Sequence, residues 1–178
     1  MGRIIATYGI IGGIIVAIGM WLGITFVPHG GGAGMAAGYL SMLIALSMVF
    51  VGVRQYRDTQ KGGIIRFWTA FGVGLGIACV AGMFYVLAWE LYLYLTDYSF
   101  MDEYVGSMLE SMRTSGKPAT EIAKFESEMA AFKLVYANPL FRMVITFAEI
   151  APVGLLVALV SAALLRKSSF MPAKTAAA

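Results

Sequence analysis

Long apolar runs alternate with short charged segments along this chain. Four runs are long enough to cross a bilayer, at 4–27, 35–53, 67–95 and 140–165, since a spanning helix takes about 20 mostly apolar residues. The first run holds no charge, the third contains Glu90, and the fourth contains Arg142 and Glu149. Residues 97–138 differ, with apolar positions recurring at helical period among charges. Tyr104, Val105, Met108, Leu109 and Met112 make one stripe. Ile122, Phe125, Met129, Phe132 and Tyr136 make a second, spaced by three and four. Ser99 followed by Asp102 predicts a capping-box start, with aspartate in place of glutamate. Ser115-Gly116-Lys117-Pro118 ends the first of these helices, because glycine accepts a left-handed C-cap and proline cannot continue a helix. Pro118 then suits the first turn of the second helix, where Glu121 faces the positive end of the dipole. Asn138-Pro139 ends that helix. The pattern predicts one all-α domain over 1–178, an integral membrane bundle of four transmembrane helices. A periplasmic two-helix hairpin at 97–138 joins spans three and four, and an Ala-rich tail at 168–178 is expected to be disordered.

Composition identifies the solvent. The chain is 60% hydrophobic and 13% charged, against roughly 45–50% and about 25% for a soluble domain, so lipid must surround most of it. The first run follows Arg3 but exceeds the roughly 7–15 residues of a signal-peptide core, and it reads as a true span. Charge then sets orientation. One end carries Arg3, Arg54, Arg57, Lys61, Arg66, Arg166, Lys167 and Lys174 against Asp58 alone. The other carries Arg113, Lys117, Lys124 and Lys133 against Asp97, Asp102, Glu103, Glu110, Glu121, Glu126 and Glu128. Basic residues favour the cytoplasmic side, so both termini are expected in the cytoplasm and the hairpin in the periplasm, in a multi-pass protein of a bacterial inner membrane. The basic residues flank spans rather than line a soluble face, which excludes nucleic acid as a partner. A lone cysteine, Cys79, forms no internal disulfide, and a lone histidine, His29, makes no His-rich metal site. No cofactor or metal is expected.

Candidate chemistry lies inside the spans. A charge at the bilayer centre costs about 2.5–3.5 kcal/mol or more, so such residues usually face the bundle interior and find partners. Glu90, Arg142, Glu149 and Pro152 form the candidate intramembrane polar site. Spans three and four run antiparallel, which brings Glu90 and Arg142 to similar depth. Glu149 lies near the midplane, three residues before Pro152, which removes the helical hydrogen bond to the Ala148 carbonyl. Interrupted helices of this kind form ion sites in transporters; a polar clamp between helices is the structural alternative. Arg54, Arg57, Lys61 and Arg66 are candidate contacts for anionic lipid, although fixing topology accounts for them as well. Met108, Met112, Phe125 and Met129 are a candidate partner face, methionine being adaptable, or they pack the hairpin on itself. Gly9/Gly13, Gly19/Gly23, Gly34/Gly38 and Gly72/Gly76 allow close helix approach within the bundle or in a homodimer. Trp21, Trp68, Trp89, Tyr92 and Tyr94 fit an aromatic belt. The stretch from His29 to Gly32 has the composition of an esterase oxyanion loop, but no G-x-S-x-G elbow accompanies it, and a short turn is expected there.

Several motifs in order carry a resemblance. They are Gly38-Tyr39-Leu40-Ser41-Met42 through Val53, Tyr56-Arg57-Asp58, Gly62-Gly63, Phe71, Gly74-Leu75, Phe100-Met101-Asp102, Phe132-Lys133 and Tyr136. The densest group is Asn138-Pro139-Leu140-Phe141, Phe147, Glu149-Ile150 and Pro152-Val153-Gly154-Leu155. From Gly38 onward the chain resembles an uncharacterised bacterial membrane-protein family, domain of unknown function 4199. The resemblance implies a four-span inner-membrane protein and transfers no activity, cofactor or site residue.

With no nucleophile–base pair or metal cluster, the chain is expected to be non-enzymatic. The leading expectation is an accessory or interaction subunit of a membrane complex, partnered by the lipid bilayer and by another membrane protein or a second copy. The alternative is a proton- or cation-linked transporter using Glu149 at a Pro152 helix break.

Overall fold

A computed structural model describes residues 1–26 and 32–172. It contains α1 (Gly2–Phe26), α2 (Gly32–Gln60), α3 (Phe67–Leu95), α4 (Phe100–Thr114), α5 (Ala119–Tyr136) and α6 (Pro139–Leu165). Among the described residues there is no strand. Four helices, α1, α2, α3 and α6, are long and apolar enough to cross a membrane, and the chain is a multi-pass membrane protein. The expected turn at His29 lies outside the described residues.

The bundle has a flat-diamond arrangement. The central helices α2 and α3 pack on each other, each also touches α6, and α1 packs on both from the opposite flank. Small residues permit the close approach. A β-carbon at Gly9 would sit 2.5 Å from Val80 Cβ, and one at Gly13 would sit 2.5 Å from Phe84 Cβ, so α1 and α3 meet at a spacing only glycine allows. The same logic joins α3 to α6, where a β-carbon at Gly154 would lie 3.0 Å from Ala78 Cβ and one at Gly74 would lie 3.1 Å from Ala158 Cβ. Gly23, Gly38 and Gly72 face open space instead.

Two ends can be distinguished. At one, the N-terminal amine donates to Gln60 Oε1 at 3.0 Å, and the chain after α6 returns to Arg57. At the other stands the α4–α5 hairpin. Its turn follows the sequence expectation, with Gly116 at φ +72° and Lys117 N–H donating to Met112 O at 3.0 Å, the Schellman closure. Pro118 is the N-cap of α5 rather than part of its first turn.

Three expectations need correction. The second span does not end at 53: helix α2 continues two turns further to Gln60, so Arg54 and Arg57 lie on the helix while Lys61 and Arg66 follow it. The capping box at Ser99 does not form. Ser99 already has helical dihedrals and its Oγ donates to Glu103 Oε1 at 2.7 Å, because the preceding turn places Asp97 and Tyr98 in the left-handed region and starts the helix early. The tail is not disordered from 168 on. Phe170 packs on the core and meets Phe50 edge-to-face at 6.4 Å, while positions 173–178 lie outside the described residues.

Candidate functional site

The polar site begins with the antiparallel register of α3 and α6. Glu90 lies five residues before the end of α3 and Arg142 three residues into α6, so both sit within about 8 Å of the hairpin end at 1.5 Å per residue. There they form a bidentate pair, with Arg142 Nε donating to Glu90 Oε1 at 2.7 Å and Nη2 donating to Oε2 at 2.6 Å. The two side chains are only 6% and 16% exposed, so the pair is a desolvated clamp, as the depth argument anticipated. Arg142 also donates to Tyr136 O at 3.3 Å and lies 5.2 Å from the Tyr98 ring centroid and 5.7 Å from that of Tyr136. One cation therefore ties α3, α6 and both ends of the hairpin together. Next to it, Asn138 caps α6 by accepting from Leu140 and Phe141 N–H, with Pro139 as the first helical residue. Asn138-Pro139, expected to end the hairpin, thus also starts α6.

Glu149 does not join this clamp. It lies about 15 Å into α6, level with Tyr85 of α3, whose hydroxyl donates to Glu149 Oε2 at 3.2 Å. Glu149 is otherwise exposed, and it lines a cavity of about 470 Å³. Helix α3 contributes Tyr85 and Trp89, α6 contributes Ile145 and Glu149, and the hairpin supplies the roof. That roof comprises Phe100, Met101 and Tyr104 from α4 and Phe125, Met129, Phe132 and Tyr136 from α5. Trp89 Nε1 donates to Tyr136 Oη at 2.7 Å, which fastens roof to wall. Burial pushes the Tyr136 hydroxyl pKa above its ordinary value.

Several predicted residues are placed differently from expectation. Helix α6 passes through Pro152 without interruption, because neighbouring α2 and α3 hold its small-residue face; the expected helix break is absent, and only the one bond to Ala148 is lost. Met108, Met112, Phe125 and Met129 are half-buried. Phe125 and Met129 line the cavity, whereas Met108 and Met112 do not. Arg57 is fully buried and unavailable to lipid. Its Nε meets Asp58 Oδ1 at 2.7 Å, and its two Nη groups donate to Phe170 O at 2.9 Å and Met171 O at 2.5 Å. Arg54, Lys61 and Arg66 stay at the surface, with Arg54 3.5 Å from Asp58 and Lys61 6.0 Å from the Tyr56 ring centroid. Trp89 belongs to the cavity wall, stacking on Tyr92 at 5.6 Å and meeting Phe100 edge-on at 4.8 Å.

The sequence did not single out Tyr85, and it gave Trp89 and Phe100 no place at the site. The available signal was the four-residue spacing of Tyr85 and Trp89, which puts both on one face of the third span. Among the described residues no group of histidine, cysteine or carboxylate side chains has the geometry of a metal site.

No curated protein and no solved structure matches this chain. A family model described as "protein of unknown function (DUF4199)" matches residues 7–167. That match spans the bundle, the Glu90–Arg142 clamp, the hairpin and Glu149, and the chain belongs to this family.

Proposed function

We propose that this protein is a non-enzymatic, cation- or proton-linked membrane transporter whose binding cavity ends at Glu149. The observation that carries the reading is the cavity itself: a carboxylate about 15 Å below the hairpin end, lining about 470 Å³ of open space, with a tyrosine hydroxyl as its hydrogen-bond partner. An acidic group kept at that depth is costly unless it serves a pathway or a partner. Glu90 is already neutralised by Arg142, which leaves Glu149 as the free acidic charge of the α3–α6 seam.

The distribution of basic residues supports an inner-membrane topology with both termini cytoplasmic and the hairpin outside. The cavity then faces outward. Deeper in the seam, the Gly154–Ala78 and Gly74–Ala158 contacts are close-packed, so release to the other side requires α6 to move against α3. The accessory-subunit reading draws less support, since Phe125 and Met129 of its docking face line the cavity instead.

The test is flux into proteoliposomes carrying an internal pH dye, with monovalent cation gradients imposed in turn. Wild-type protein is expected to collapse the pH gradient when a transported cation is supplied, and Glu149→Gln to abolish this while melting at the same temperature. Equal flux in the variant overturns the reading.

A further inference from the structure

Resting on that reading, we propose that the cavity selects organic ammonium ions, carried by a small solute or by a lipid headgroup, over inorganic cations. The wall chemistry decides the class. An alkali or alkaline-earth ion entering a protein site must exchange its water shell for several oxygen ligands. This cavity offers one carboxyl group, at Glu149, with the hydroxyls of Tyr85, Tyr104 and Tyr136, amid aromatic and aliphatic walls. An alkylated ammonium ion has the opposite requirement. Its charge is spread over methylene or methyl groups that need apolar contact, and aromatic faces within about 6 Å of the ring centroid attract it. Tyr85, Trp89, Phe100, Phe125 and Phe132 supply such rings on several sides.

Charge complementarity points the same way. Among the described residues no basic side chain pairs with Glu149. The nearest intramembrane cation, Arg142, is committed to Glu90 through two hydrogen bonds. On the hairpin, Lys133 is committed to Asp102. The cavity therefore carries the one acidic group of the α3–α6 seam that lacks a basic partner, and a cationic guest completes it.

The source of the guest is separable. The hairpin borders the cavity on the side a free solute would approach from, while Ile145 and the exposed neighbouring positions Val144 and Ala148 lie on the α6 surface that a lipid would meet. A headgroup and a free solute would present the same ammonium chemistry to the same rings.

The experiment is equilibrium binding of radiolabelled tetraethylammonium to the full chain in nanodiscs of phosphatidylglycerol. Saturable binding is expected, unaffected by a hundredfold excess of potassium. It should weaken at least tenfold in Glu149→Gln, which keeps the Tyr85 hydrogen bond. It should weaken severalfold in Phe125→Ala, which removes a roof ring from the hairpin and leaves every span intact. Nanodiscs of phosphatidylcholine separate the sources: lost solute binding there marks a lipid headgroup as occupant, and retained binding marks a free solute. Binding without proton-coupled flux upholds the ammonium site while removing the transport reading. Flux with potassium or sodium but no tetraethylammonium binding overturns the ammonium site and leaves transport standing. Equal binding in wild type and both variants also overturns it.

Discussion

The Glu90–Arg142 clamp makes a quantitative prediction. Replacing Glu90 with leucine leaves the Arg142 guanidinium, only 6% exposed, without its counter-charge. Removing one partner of a buried ion pair costs about 3–5 kcal/mol, because the other charge stays desolvated. Replacing both, as Glu90→Leu with Arg142→Met, removes that penalty. What remains is the loss of the Arg142 bond to Tyr136 O and its stacking on Tyr98 and Tyr136, together about 1–2 kcal/mol from typical hydrogen-bond and cation–π values. At about 2–4 °C per kcal/mol for a chain of this size, the single variant should melt roughly 6–20 °C below wild type and the double variant only about 2–8 °C below. Thermal unfolding in one detergent, followed by fluorescence and by dispersion in size-exclusion chromatography, reads both. Trypsin cleavage within the hairpin should rise more in the single variant than in the double, since Arg142 also holds Tyr98 and Tyr136. A double variant as unstable as the single would refute the reasoning, because the two charges would then not act as a coupled unit.

Three other outcomes follow from the packing. Gly9→Ala forces a β-carbon to 2.5 Å from Val80 Cβ and should cost about 1–3 kcal/mol by overpacking; Gly72→Ala meets open space and should be neutral or stabilise by up to about 1 kcal/mol through helix propensity, and melting curves of the pair check both. Arg57→Met removes the donors to Phe170 O and Met171 O and should speed trypsin cleavage after Lys167 about tenfold, the equivalent of roughly 1.4 kcal/mol, with the rest of the digestion pattern unchanged. Asp102→Asn breaks a contact to Lys133 whose side chains are 43% and 69% exposed, so the melting temperature should move by less than the effect of about 1 kcal/mol; a larger drop would mean the hairpin depends on this surface pair.

The spans and the hairpin were legible from the sequence because lipid leaves little choice. Backbone groups in hydrocarbon must be satisfied within the segment, so a long apolar run with few charges reads directly as a helix, and the bounds of α3 coincide with the predicted 67–95. The α4–α5 hairpin was equally visible, since its stripes and the Gly116 turn are local features. The Glu90–Arg142 pair followed from depth along two antiparallel helices, a one-dimensional argument.

What required the tertiary structure was every question of facing. Two helices of known depth can present any side to one another, and the apolar composition of these spans gives almost no rotational preference in a lipid solvent. Close glycine contacts set that rotation, pressing Gly154 on Ala78 and Gly9 on Val80. Only then does Glu149 point beside Tyr85 rather than toward Arg142. The left-handed turn at Asp97 and Tyr98 likewise folds the hairpin back, bringing Phe125 and Met129 over Trp89 to close a cavity from residues forty positions apart. Arg57 gives the same lesson at the other end: its charge marked the membrane side, but the returning chain at Phe170 decided that it is buried. Depth and span are properties of composition along one axis, whereas partnership is decided by helix rotation and chain return, which no single segment encodes.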